Sequence, residues 1–112
     1  MEITHDLQNS FLILKLKGEF DINEIPLFED TIKQIKDKSN KIVFDLTRLE
    51  YIDSGGIGAF IQLQTDISKR EGGELYLFGV NDFIYGVLEV ANLLTYFSIL
   101  EEKEINKLIS NQ

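Results

Sequence analysis

The feature that most constrains this chain is a change of apolar period that repeats along it. Short runs fit for strands alternate with segments whose apolar residues recur every three or four positions. Phe11-Leu12-Ile13-Leu14-Lys15-Leu16-Lys17 is apolar on both faces at its start and alternates by its end, a strand pattern. Ile3 to Leu7 can supply a strand before it. After the turn Gly18-Glu19-Phe20-Asp21, the residues Ile25, Phe28, Ile32 and Ile35 predict a helix from about Pro26 to Lys36. Pro26 suits the first helical turn, where its missing N–H is not needed. Lys41 to Leu46 reads as a central strand covered on both faces.

From Ser54 to about Arg70 the period is helical again, with Ile57, Phe60, Ile61, Leu63 and Ile67 on one arc and Gln64 as an unexplained polar residue inside it. Gly72-Gly73 stops that helix. Glu74 to Phe78 is a further strand. Asn81-Asp82 can cap a third helix, in which Ile84, Val87, Leu88 and Ala91 share a face. Tyr96 to Leu100 predicts a last strand, and Glu102 to Ile109 a short terminal helix. Strands alternating with helices imply crossover connections. The expected fold class is therefore α/β, a mixed and mostly parallel sheet of four to five strands with about four helices. A chain of 112 residues without a proline- or glycine-rich linker is expected to form a single domain over 1–112.

Composition narrows the function. With 44% apolar and 27% charged residues the chain should fold, and with no cysteine it can form neither disulfides nor thiolate metal sites. A net charge of -8 argues against a nucleic-acid partner and against anionic membrane surfaces, because both need clustered lysine and arginine. No apolar stretch is long enough to insert in a membrane, and Met1 to Asp6 lacks the basic and apolar blocks of a secretory signal. A cytoplasmic protein is the expectation.

The turn Tyr51-Ile52-Asp53-Ser54-Gly55-Gly56-Ile57-Gly58 joins the central strand to its helix. Asp53 or Ser54 can cap that helix. Gly55 and Gly56 carry no side chains, which predicts backbone amides open to an anion at the positive end of the helix dipole. The carboxyl end of a central strand is also where open α/β sheets place function. Two readings compete: a capped helix whose glycines merely permit tight packing, or a turn that presents Ser54 for modification or holds an anion. Gly58 is expected to let the helix lie close on the sheet in either case. Gly55-Gly56-Ile57-Gly58 is neither a dinucleotide fingerprint nor a P-loop, so a nucleotide site built on these amides has little support. His5 is the only histidine, and no His, Asp and Glu cluster has metal-ligand spacing. Nothing points to catalysis, a cofactor or a metal.

Three segments resemble the STAS domain of bacterial anti-sigma-factor antagonists. Gly18-Glu19-Phe20-Asp21 is similar to the family's Gly-Glu-aliphatic-Asp turn. Tyr51 to Gly58 is similar to its aromatic-aliphatic-Asp-Ser-Ser/Thr-Gly-Leu-Gly phosphorylation turn, and Gly72-Gly73-Glu74-Leu75 falls at the family's spacing. The resemblance implies that Ser54 is the serine phosphorylated by a cognate anti-sigma serine kinase and restored by a serine phosphatase. It also implies that Asp21, Asp53, Gly55, Gly56 and Ile57 face the partner, and that the unphosphorylated form sequesters the kinase as a monomer or weak dimer. Gly55 stands where the family has a second Ser or Thr, Phe20 where it has a smaller aliphatic, and Asn92-Leu93 where it commonly has Gly-Leu. A stand-alone STAS regulator of a non-sigma target, and a small STAS subunit of a membrane lipid-transport complex, are the alternatives. Phe83, Tyr85 and Val90 are apolar residues left over on the third helix, as partner surface or as packing against a strand end.

Overall fold

Parallel strands that are neighbours in sequence need a crossover between them, and a helix is the usual filler. The computed structural model of the protein describes residues 1–110, so the last two residues of the expected domain lie outside it. Strand β1 (Glu2–Gln8) pairs antiparallel with β2 (Phe11–Phe20). Then β3 (Lys41–Ile52), β4 (Glu74–Phe78) and β5 (Ser98–Leu100) add in parallel, giving a five-stranded mixed sheet in sequence order. Helices α1 (Ile25–Ile35), α2 (Ser54–Ser68) and α3 (Asp82–Val90) fill the three crossovers, and α4 (Glu102–Ser110) closes the described chain.

The double apolar character of β2 has a simple cause. Leu12, Leu14 and Leu16 point to one face, where they pack with Phe44, Leu46 and the buried sides of α1, α2 and α3. Phe11 and Ile13 point to the other, where Val43 and Ile105 of α4 join them. On the helix-rich face Phe20, Phe28, Phe44 and Phe60 form a cluster with ring centroids 4.9 to 5.9 Å apart. Phe20 is fully buried there, so the ring that replaces a smaller aliphatic is accommodated by its aromatic neighbours.

Three strand boundaries differ from expectation. β2 continues through Gly18 to Phe20, and β3 runs on from Leu46 to Ile52. The apolar pattern of β3 breaks because the β2–β3 register shifts there, and Asp45 Oδ1 accepts hydrogen bonds from the Thr47 amide at 3.0 Å and its hydroxyl at 2.6 Å. β5 is shorter than Tyr96 to Leu100, since the amides of Tyr96 and Phe97 bond the Leu93 carbonyl instead. Gln64 inside the α2 arc is explained: its Nε2 donates to the Tyr96 carbonyl at 3.1 Å and ties the helix to that loop. Asn92 holds a positive φ of 63° at the end of α3, the left-handed position where Gly is commonest and Asn next best tolerated. Among the described residues, no helix is long and apolar enough to cross a membrane.

Candidate functional site

Phe20 and Ile52 are paired across β2 and β3, so Asp21 and Asp53, which follow them, emerge side by side at the carboxyl edge of the sheet. Of the two possible caps for α2, the structure uses Asp53. Its backbone is extended (φ -107°, ψ -174°), and its Oδ1 accepts from the amides of Gly55 at 2.8 Å and Gly56 at 3.2 Å. Oδ2 accepts from the Ile22 amide at 3.2 Å, strapping the Asp21–Ile22 corner onto the helix start. Asp21 caps the short 3-10 turn Ile22–Glu24, accepting from the Asn23 amide at 2.9 Å.

This geometry corrects one expectation. The Gly55 and Gly56 amides are not open to an anion, because the Asp53 carboxylate already occupies them. The glycines serve packing: a Cβ on Gly56 would lie 2.6 Å from the Phe20 carbonyl oxygen and 2.7 Å from Ile52 Cγ1, and one on Gly55 would meet Ile22 Cα at 3.1 Å. Gly56 is buried and Ile57 is only 7% exposed. Ser54, the first residue of α2, is exposed, and its hydroxyl has no hydrogen-bond partner among the described residues. Between Asp53 and Gly56 the turn engages the Gly55 and Gly56 amides and the Asp53 carboxylate and leaves the Ser54 hydroxyl free.

Gly58 also differs from expectation. Rather than permitting close helix–sheet contact, it is exposed, and a Cβ there would meet nothing within 4 Å. It lies in a groove of about 730 Å³ between α2 and α3, with Ser54 at its edge and Ile61, Phe83, Val87 and Val90 among its walls. Phe83, Tyr85 and Val90 are all exposed, at 49%, 45% and 89%, so none of them is absorbed into the core. Phe83 stacks on Tyr51 of the turn with centroids 5.6 Å apart, which extends the apolar surface from the groove to the strand end. Ile22, 65% exposed beside Gly55, adds to this surface. Periodicity carries no signal for Ile22, because an apolar residue after a turn reads as core.

A second, polar hollow of about 360 Å³ lies on the other face of the sheet, among Lys15, Lys17, Asp45 and Arg48. The Tyr76 hydroxyl, on β4, is pushed up to about 12 by burial, by its hydrogen bond to Glu74 and by the charge of that carboxylate. That residue packs with the α4 cluster, on the face away from Ser54.

The sequence profile of the STAS domain matches residues 2–106. An anti-sigma-B factor antagonist of Staphylococcus aureus (strain NCTC 8325 / PS 47) is 27% identical over 106 residues, 94% of this chain and 97% of that protein. The intermembrane phospholipid transport system binding protein MlaB of Escherichia coli (strain K12) is 33% identical over 81 residues, 71% of this chain and 79% of MlaB. Among solved structures, a Thermotoga maritima protein classed as a candidate anti-sigma factor antagonist superposes with a TM-score of 0.85 at 24% identity, covering 97% of this chain and 95% of that one. The anti-sigma factor antagonist SpoIIAA does so in its unphosphorylated form with a TM-score of 0.74 at 15% identity, covering 99% of this chain and 100% of that one. At such identities the superpositions speak to the fold alone, and they find the same frame of sheet and crossovers. Because the profile match takes in all five strands and everything up to the middle of α4, the chain belongs to the STAS domain family.

Proposed function

We propose that this chain is an anti-sigma-factor antagonist: a protein-binding module, not an enzyme, that sequesters an anti-sigma serine kinase while Ser54 is unphosphorylated. The observation that carries the reading is the Ser54 hydroxyl, exposed and unbonded beside the engaged Asp53 cap and bordering an apolar groove. The full-length likeness to an anti-sigma-B factor antagonist supports the same reading. So does the match of Tyr51 to Gly58 to the family's phosphorylation turn.

The physics of the switch follows from the cap. A phosphoserine carries about −1.5 to −2 charges at neutral pH. The helix dipole favours that charge at the start of α2, but Asp53 has already taken two of the first-turn amides, and its own charge stands beside the phosphate. The free domain keeps its fold, since Ser54 is exposed and holds nothing. A docked partner must strip water from the dianion, and that cost falls on binding.

The test has two parts. Intact-mass spectrometry of protein from its native host, with peptide mapping across 51–69, is expected to find phosphate on Ser54 in some growth condition. In binding assays with the cognate serine kinase, Ser54→Ala should retain affinity and Ser54→Asp should lose about tenfold or more. Equal binding by the two variants would sink the switch. The likeness to MlaB favours one other reading, a docking subunit of a lipid-transport complex whose Ser54 stays unmodified. Co-purification with an ATPase subunit, and no phosphate in any condition, would select it.

A further inference from the structure

Of the eight glycines, six are explained by a positive φ or by atoms that leave no room for a Cβ. The remaining two, Gly58 in α2 and Gly86 in α3, have ordinary helical backbone and nothing within 4 Å of the place a Cβ would take. Each sits in a helix interior, where glycine costs about 0.5–1 kcal/mol relative to alanine. Neither backbone conformation nor close packing calls for glycine at either position, yet both line the same groove. We infer that the α2–α3 groove is a seat for one amphipathic helix of a protein partner, with Gly58 and Gly86 as the floor that lets its backbone come close. This rests on the proposed reading of the Ser54 turn as a binding surface, and it adds the shape and charge of what binds.

The walls and the charge define the occupant. Val87 lies along the groove, and Phe83 and Val90 are exposed at its rim, which suits apolar anchors at helical spacing. Neither α2 nor α3 contains a lysine or an arginine. Asp82 lines the groove, the one charged side chain among its walls. A second copy of this chain, with its net charge of -8, is a poor match for such a rim. The fitting partner is a helix whose apolar stripe is flanked by lysine or arginine on the side toward α3. Ser54 stands on the opposite wall, away from the basic flank, so a phosphate there gains no paired cation and must be desolvated as the helix docks.

The experiment uses a displayed library of helices of about 16 residues, with apolar and charged positions varied, selected on the full chain. Enriched helices should carry an apolar stripe at i, i+3, i+4 and i+7 with basic residues along one flank. They should bind the Gly58→Ala/Gly86→Ala double variant at least about tenfold more weakly, although its thermal midpoint is unchanged or raised. Val90→Arg, at a position 89% exposed and so outside the core, should weaken binding without any effect on folding. Failure to enrich any helix, enrichment of acidic helices, or equal binding to wild type and both variants would overturn the inference. The switch is read separately: helices that need the two glycines, in a protein whose Ser54 is never phosphorylated, would leave the groove standing and remove the phosphorylation reading.

Discussion

Gly56 and Gly58 stand two residues apart at the start of α2, but their surroundings are opposite. A methyl group on Gly56 would run into the Phe20 carbonyl, the Phe20 ring and Ile52, whereas one on Gly58 would touch nothing. The first glycine belongs to the packed start of the helix, where β2, β3 and α2 converge and the Asp53 carboxylate bonds three amides. The second belongs to the open flank, where apolar side chains face solvent across a groove. One end of the site is built to be immovable and the flank beside it is built to be vacant. A binding surface needs both, since a partner gains most from a surface already held in its bound shape.

The packed end should break first and hardest. Gly56→Ala is expected to cost about 3 kcal/mol, because the new methyl cannot be relieved without moving the backbone of β2. Chemical denaturation should show a lower midpoint at unchanged slope. A loss below about 0.5 kcal/mol would mean that the strands converge more loosely at Phe20 and Ile52 than these contacts imply. Asp53→Ala should follow at about 2 kcal/mol, since it removes an N-cap and leaves the Ile22 amide without its acceptor. Asp53→Asn sharpens the point. Its single carboxamide oxygen can keep the helix cap, but the NH₂ group then faces the Ile22 amide, donor against donor, so a loss of about 1 kcal/mol is expected. An asparagine variant as stable as wild type would show that the strap to Ile22 contributes nothing.

Most of the frame was legible because period survives in sequence: the strand–helix alternation, the buried arcs of α1 and α2, and the Asp or Ser cap were all open to reading. What escaped was decided by contacts distant along the chain. The expected central strand stopped at Leu46 because the register shift at Asp45 to Arg48 turns Thr47 and Arg48 outward. Gln64 looked misplaced until its partner, the Tyr96 carbonyl, was in view. The amides of Gly55 and Gly56 looked free because a capping carboxylate and an anion site leave the same trace in sequence. The packing role expected of Gly58 failed for the plainest reason: the room around a missing side chain cannot be read from the chain that lacks it.

Whether the open flank is built or merely slack can be tested at its far end. Asn92 terminates α3 in the left-handed conformation, with the Leu93 amide bonded to the Leu88 carbonyl at 2.8 Å and its own amide to Glu89 at 3.0 Å. Asn92→Ala should cost about 1 kcal/mol from the steric penalty of that backbone, and Asn92→Gly should gain a similar or smaller amount. Thermal midpoints that move in opposite directions for the two variants would mark the groove wall as fixed as the packed end. No movement in either would mark α3 as frayed.

The smallest effect carries the most information about the contrast. Gly58→Ala adds a methyl into empty space on a helix interior and is expected to raise stability by about 0.5–1 kcal/mol. The sign matters more than the size. A glycine that is kept because the fold requires it gives a loss on substitution, as Gly56 must. A gain at Gly58, measured in the same denaturation series, would mean that this position holds a residue the domain alone would be better without. Such a gain is what a surface that approaches α2 more closely than a methyl group allows would produce, and the binding of the Gly58→Ala/Gly86→Ala variant then decides it. A loss at Gly58 would erase the distinction between the two glycines and return the flank of α2 to ordinary packing.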